Sequence, residues 1–400
     1  MPKPPLTDLY LDHAATTPLR PQVAREMRHV QEEFPGNPSS PHRWGQDARR
    51  TLQAARDRVA DVLDVPAGAV FFVRGGTESD NLAILGRADR SRSEGHTPLI
   101  LYSSVEHSAV REAAQEAVRS HGQAVVFGVD PSGQLDLTTI RETLERHPDP
   151  SSAALLSCMW VNNETGTVLA MEELLEVARA QDVPLHVDAV QGAGKLHLAQ
   201  LARAADLLSL SGHKLGGPRS MGILVCRDRS LLSPRLFGGG QEDGLRPGTE
   251  DVAGAAGMAQ ALELATHDRE GEAARLTRLR DRLEEGLKEA IPDLRIHGAE
   301  GPRAPHITNV GIPGLPADVL PGALDLSGVR ASAGSACRSG SSGVSPVLAE
   351  FYGEAHARGV APLRLSLGWN STPQVVEGAL KIVPRVLGEI RSAGIGTRPS

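Results

Sequence analysis

With 400 residues the chain exceeds what one hydrophobic core normally fills, so its length predicts two domains or one large domain with an appendage. Its 40% apolar and 23% charged content is that of a soluble globular protein, and a net charge of −7 excludes the strong basic excess by which nucleic-acid binders displace counterions. Aromatics at 3% leave little material for a base-stacking platform, and no apolar run approaches the ~20 residues of a membrane span. Neither a membrane nor direct nucleic-acid contact is expected. Met1 to Tyr10 lacks the apolar segment of a secretory signal. Cys158, Cys226 and Cys337 stand at wide, unrelated spacings, which gives neither a disulfide framework nor a zinc signature. Reduced thiols point to the cytoplasm, and no metal site is expected.

In chain order, Ala48 to Leu63 has helical amphipathic spacing, and Val70 to Val73 reads as a strand that leads through Arg74-Gly75-Gly76-Thr77-Glu78 into a helix ending near Arg87. Leu99 to Tyr102 and Ala124 to Phe127 read as strands around a helix from His107 to Ser120. Strands are also expected at Ala153 to Met159, Val183 to Val187, Asp206 to Leu210 and Gly222 to Cys226, with a helix from Met171 to Gln181. These apolar runs lack period-two alternation, as strands covered on both faces do, which predicts an α/β architecture with a mostly parallel sheet. A Gly/Pro-rich stretch from Phe237 to Gly248 breaks the pattern. One long helix from Val252 to Glu289 is expected to connect to a second domain, with strands at Ile307 to Val310 and Leu363 to Leu367 and a closing helix from Thr372 to Ser392.

Lys214, in Ser211-Gly212-His213-Lys214-Leu215-Gly216-Gly217-Pro218, and Asp188 each follow a buried strand. A desolvated amine can form a Schiff base, and a carboxylate can hold a pyridinium nitrogen protonated, the two demands of a pyridoxal phosphate site. Asp188 could instead cap a helix. Gly75-Gly76-Thr77-Glu78-Ser79, at a strand-to-helix junction, suits a phosphate monoester aided by Thr77 and Ser211, or else a plain capping box from Thr77 to Asp80. His107, at a helix start, could stack on a flat ring and move protons, or could be a helix-end histidine without a role. Cys158 and Cys226 read as core thiols, whereas Cys337 lies in a small-residue loop beside Arg338, where a lowered pKa would make it a nucleophile.

These motifs, with Tyr10-Leu11-Asp12-His13-Ala14-Ala15-Thr16-Thr17-Pro18, Gly36-Asn37-Pro38, Glu106-His107, Asn162-Asn163-Glu164-Thr165-Gly166, Arg246-Pro247-Gly248-Thr249 and Arg364-Leu365-Ser366, resemble the cysteine desulfurases, class V members of the fold-type I pyridoxal phosphate enzymes. The resemblance runs nearly end to end. It implies a large cofactor domain (residues 14–255) with a mostly parallel seven-stranded sheet. A smaller α+β domain (1–13 and 256–400) would carry the cysteine loop, about 331–345. It assigns the covalent cofactor lysine to Lys214, the pyridine partner to Asp188, and contacts around the ring oxygen to Asn163 and Gln191. His107 would stack on the ring, and Gly76, Thr77, Ser211 and His213 would hold the phosphate, joined by Thr249 from a partner subunit in a homodimer.

Asn37 and Arg364 would bind the carboxylate of the substrate, L-cysteine, and Cys337 would take its sulfur as a persulfide, leaving alanine. The implied acceptors are an iron–sulfur scaffold, a tRNA-thiolating enzyme or a small sulfur carrier. The enzymatic alternative is a selenocysteine lyase or another β-eliminating enzyme of class V, and the non-enzymatic one a silent partner-binding scaffold. The chain departs from the family pattern at Gly343-Val344-Ser345-Pro346, Arg219, Ala333 and Trp369-Asn370.

Overall fold

The apolar runs of the first 226 residues pair side by side. A computed structural model describes residues 9–149, 154–315, 319–334 and 344–393. Its strands are β1 (Leu9–Tyr10), β2 (Val70–Val73), β3 (Leu99–Ser103), β4 (Gln123–Phe127), β5 (Ala154–Met159), β6 (Leu185–Asp188), β7 (Leu207–Ser211), β8 (Gly222–Cys226), β9 (Arg295–His297), β10 (Ile307–Pro313), β11 (Val329–Arg330) and β12 (Val360–Ser366). Seven of them form one sheet in the order β2-β8-β7-β6-β5-β3-β4. Neighbours from β4 through β7 are parallel, and β8 alone runs against the rest.

Every residue of β3, β5, β6, β7 and β8 is buried, which is why their sequences show no alternation. The edge strand β4 is partly exposed. Because β5, β6 and β7 are parallel, Met159, Asp188 and Ser211 end on one side of the sheet, where α/β folds open a ligand crevice.

A second sheet, β12-β10-β9, is antiparallel. Its apolar face joins Val310, Leu363 and Leu365 to Leu283 and Leu287 of the helix Arg269–Ala290 and to Val376, Val383 and Leu387 of the helix Pro373–Ser392. Leu11 belongs to this cluster, and β1 pairs with β11, so the start of the chain packs with its last third.

The long helix expected from Val252 to Glu289 is two helices, Val252–Thr266 and Arg269–Ala290. Asp268 separates them by capping the second, accepting the Gly271 N–H at 3.2 Å. The two halves also bury differently. Ala255, Met258 and Leu262 of the first pack with the large sheet's cluster, whereas the second lays one apolar stripe on the small sheet. The helix expected from Ala48 starts earlier, at Arg43, where His42 accepts the Gly45 N–H.

Candidate active site

Outside the ends of β5, β6 and β7 lies a cavity of about 300 Å³. Lys214, Asp188, Gln191, Asn163, Gly76, Thr77, Ser211, His213, His107 and Arg364 all line it, although they come from widely separated segments. Asn37 and Thr249 do not line it and are exposed on this chain. Cys337 and its neighbour Arg338 lie outside the described residues.

β7 runs into a single 3-10 turn, Gly212–Lys214, which carries Lys214 to the cavity wall. Its Nζ donates to the carbonyls of Ala14 at 2.5 Å and Ala15 at 2.7 Å. Asp188 ends β6, and its Oδ1 accepts the Val190 N–H at 3.0 Å. Burial raises the Asp188 carboxyl above its ordinary value, opposed by the Val190 bond and by His107 and Lys214. A buried carboxyl facing open space is suited to a cationic ring nitrogen, which would draw it back to the ionised form.

The anion end is built from backbone. The helix Gly76–Ser93 starts at the end of β2 with Gly75 as its cap residue at φ 92° and no side-chain cap, so its first N–H groups stay available to a ligand. The capping box from Thr77 to Asp80 is therefore not formed. A Cβ on Gly76 would sit 3.1 Å from Val190 Cγ2 and 3.6 Å from Ser211 Cβ, so a side chain here would narrow the cradle. Burial, then the charges of Lys214 and Arg219, bring His213 down to about 4, so it is a neutral ring beside that cradle.

His107 stands at the helix start and on the cavity wall. Its Nδ1 accepts the Ala109 N–H at 3.1 Å and caps the helix Ser108–Val118, while the ring lines the cavity. That bond leaves the proton of the neutral ring on Nε2. Burial lowers the His107 pKa against the pull of Asp188. Gln191 spans the floor, donating to the Ala14 carbonyl at 2.9 Å with its Oε1 3.3 Å from His306 Nε2.

Arg364 is 1% exposed, in the body of β12; Nη1 donates to the Asn163 carbonyl at 2.8 Å and Nη2 to Asp12 Oδ1 at 2.9 Å. Cys158 and Cys226 are buried thiols, raised well above the ordinary value and to about 12 respectively, both mainly by burial, so neither is a nucleophile at neutral pH.

Four residues around the site were missed from sequence. Asp80 and Glu106 are buried carboxyls on the cavity wall. His306 stands behind Gln191, and Asp12 was quoted within a motif without a role. Asp80 was read only as the end of a capping box, not as a buried carboxyl of the site. The side-by-side Glu106-His107 could have drawn attention to Glu106.

The residues fit pyridoxal phosphate: a lysine amine, a buried carboxyl and a backbone anion cradle open onto one cavity. When bound, that cofactor supplies an electron sink. Lys214 can hold or move a proton at Nζ, His107 at Nε2, and Arg364 can receive a carboxylate.

Among the described residues no helix is long and apolar enough to cross a membrane. The family described as aminotransferase class V matches residues 9–378. An "IscS-like cysteine desulfurase" of Mycobacterium tuberculosis is 41% identical over 96% of this chain and 98% of its own length. A solved structure described as a NifS-like protein superposes with a TM-score of 0.85 at 30% identity, covering 96% of this chain and 100% of its own. Another, described as SspA in complex with cysteine, gives a TM-score of 0.75 at 30% identity over 90% of this chain and 99% of its own. The fold is thus that of the NifS-like enzymes, and the chain belongs to the class V aminotransferase family, among its cysteine desulfurases.

Proposed function

We propose that the chain is a pyridoxal phosphate-dependent cysteine desulfurase that converts L-cysteine to L-alanine and passes the sulfur to Cys337. The observation that carries this is the convergence of Lys214, Asp188 and Arg364 on one cavity. Each meets one need of the reaction: an amine for the cofactor, a carboxyl for its ring nitrogen and a guanidinium for the substrate carboxylate. Gly76, Thr77, Ser211 and His213 would hold the phosphate, Asn163 and Gln191 would face the ring oxygen, and His107 would stack on the ring. The cofactor would supply the electron sink that activates the substrate. The thiolate of Cys337 would bond to the substrate sulfur, which gives up its proton, while the carbon–sulfur pair stays with the β-carbon, which takes up a proton to become the methyl group of alanine.

In this reading Thr249 acts across a homodimer, and Asn37 joins Arg364 on the substrate carboxylate. The exposure of Thr249 supports the homodimer, as does the apolar surface of Leu236 and Phe237, 50% and 89% exposed, on the segment leading to it. The same reading divides the chain into a cofactor domain and a smaller domain bearing the cysteine loop; apolar packing favours placing the helix Val252–Thr266 with the former. The sulfur acceptor would be an iron–sulfur scaffold, a tRNA-thiolating enzyme or a small sulfur carrier, the acceptors that the family resemblance implies.

The test compares wild type with Cys337→Ala. Wild type with added cofactor should show a visible band that borohydride removes, and should release alanine from cysteine. Cys337→Ala should keep the band and lose alanine release. Alanine release undiminished in that variant would sink the persulfide route, and faster turnover of selenocysteine than of cysteine would move the assignment to a selenocysteine lyase.

A further inference from the structure

Carbonyls at the end of a helical turn have no partner within it. From His213, inside the turn Gly212–Lys214, to Gly216 beyond it, four consecutive carbonyls each receive one donor from elsewhere in the chain. The Thr17 N–H reaches His213 O at 2.8 Å, Lys195 Nζ reaches Lys214 O at 3.0 Å, Arg20 Nε reaches Leu215 O at 3.0 Å, and the Arg20 N–H reaches Gly216 O at 2.9 Å. Two of the four donors belong to basic side chains, Lys195 and Arg20.

The turn is shaped to admit them. Gly216 has φ 76°, and a Cβ there would come 2.7 Å from Arg20 Cγ. Arg20 is itself held over the Trp369 ring, 5.3 Å from its centroid.

Lys195 differs from Thr17 and Arg20 in origin. It follows Asp188 and Gln191 on the loop after β6, and its own N–H is held by the Gly192 carbonyl at 3.0 Å. Its side chain is therefore a tie between the loop that bears Asp188 and the turn that bears Lys214. Burial, then the charges of Arg20 and Lys214, bring the Lys195 amine down to about 7, with Glu272 opposing. A lysine keeps N–H donors in either protonation state, so the tie survives on both sides of neutrality. No step of the proposed reaction uses this residue.

We propose that Lys195 is a positioning residue: by binding the Lys214 carbonyl it registers the cofactor lysine against Asp188 and Gln191. The proposal rests on the pyridoxal phosphate reading.

The experiment compares Lys195→Met with Lys195→Arg in the cofactor-loaded enzyme, by visible circular dichroism of the bound cofactor and by steady-state kinetics with cysteine. Met removes the donor and Arg restores one. Lys195→Met is expected to lose at least about half of the visible dichroism and to lower kcat about tenfold, with KM moved less than about twofold. Lys195→Arg is expected to return both signals to within about threefold of wild type. If the Met variant does not fold, Lys195→Ala replaces it with the same two measurements. Wild-type dichroism and kcat in the donor-less variant would overturn the proposal, as would an Arg variant no better than the donor-less one. A wild type that stays colourless with added cofactor would reject the cofactor reading instead, before any Lys195 variant is compared.

Discussion

The two sheets solve the burial of ionisable groups in opposite ways. On the cavity side of the large sheet, Glu106 and Asp80 are buried carboxyls with one oxygen each, Oε2 and Oδ1, that has no hydrogen-bond partner. Burial foremost raises both, and the facing charge of Asp188 adds to it. A carboxyl can escape the cost of burial by keeping its proton. Arg364, in the middle of the fully buried β12, cannot. It is met instead by a carboxylate, Asp12 just after β1, and by a carbonyl, that of Asn163 in the loop after β5. The difference teaches that a buried carboxyl beside the large sheet can stay neutral with one oxygen unpartnered, whereas a permanent charge inside a strand needs an opposite charge or an acceptor brought to it.

The strongest test of this contrast starts at the strand end. Lys214→Ala should lower cysteine turnover by about 10³-fold and abolish the borohydride-sensitive band. A variant keeping a tenth of the activity would remove Lys214 from the chemistry. Arg364→Ala should lower kcat/KM about 100-fold, chiefly through KM, because a charge-assisted bond to the substrate carboxylate is lost. It should also melt at lower temperature, since Asp12 loses its partner. Asp12→Asn keeps an oxygen for Nη2 and loses only the charge, so KM should rise about threefold to tenfold with kcat nearly kept. If Asp12→Asn matches wild type, the pairing is dispensable and the contrast between the sheets fails.

The same contrast explains what could be seen in the sequence. Asp188 and Lys214 were legible because each ends an apolar run, and a polar residue at such a junction stands out. The parallel core was legible for the same reason: β3, β5, β6 and β7 are buried on both faces and so lack alternation. The break between Val252–Thr266 and Arg269–Ala290 was not, because helix-forming residues run across it and only Asp268 marks the new cap. Arg364 was found through the family motif rather than from its strand. Its partner Asp12 lies 352 residues away, a pairing that no local pattern encodes. Lys195 was hidden likewise, since its role depends on the fold bringing the loop after β6 against the turn after β7.

The smallest expected effect concerns Glu106, where the neutral-acid half of the contrast can be read directly. Its Oε1 accepts the Ser103 hydroxyl at 2.5 Å and the Met159 N–H at 2.7 Å. Burial, with Asp188 adding to it against the Ser103 bond, brings its pKa from 4.5 to about 8. A folded value above the unfolded one means that the folded chain keeps a proton that the unfolded chain releases between those two pH values. Its contribution to stability is therefore full below about pH 4.5 and is lost as pH rises through about 8. Glu106→Gln cannot ionise and still offers an oxygen to both donors. Urea unfolding of the two proteins at several pH values should show the Gln variant gaining on wild type as pH rises across that window, then levelling off. A difference that stays constant with pH would mean that Glu106 is already ionised in the folded chain, and that the large sheet, like the small one, compensates its buried charge.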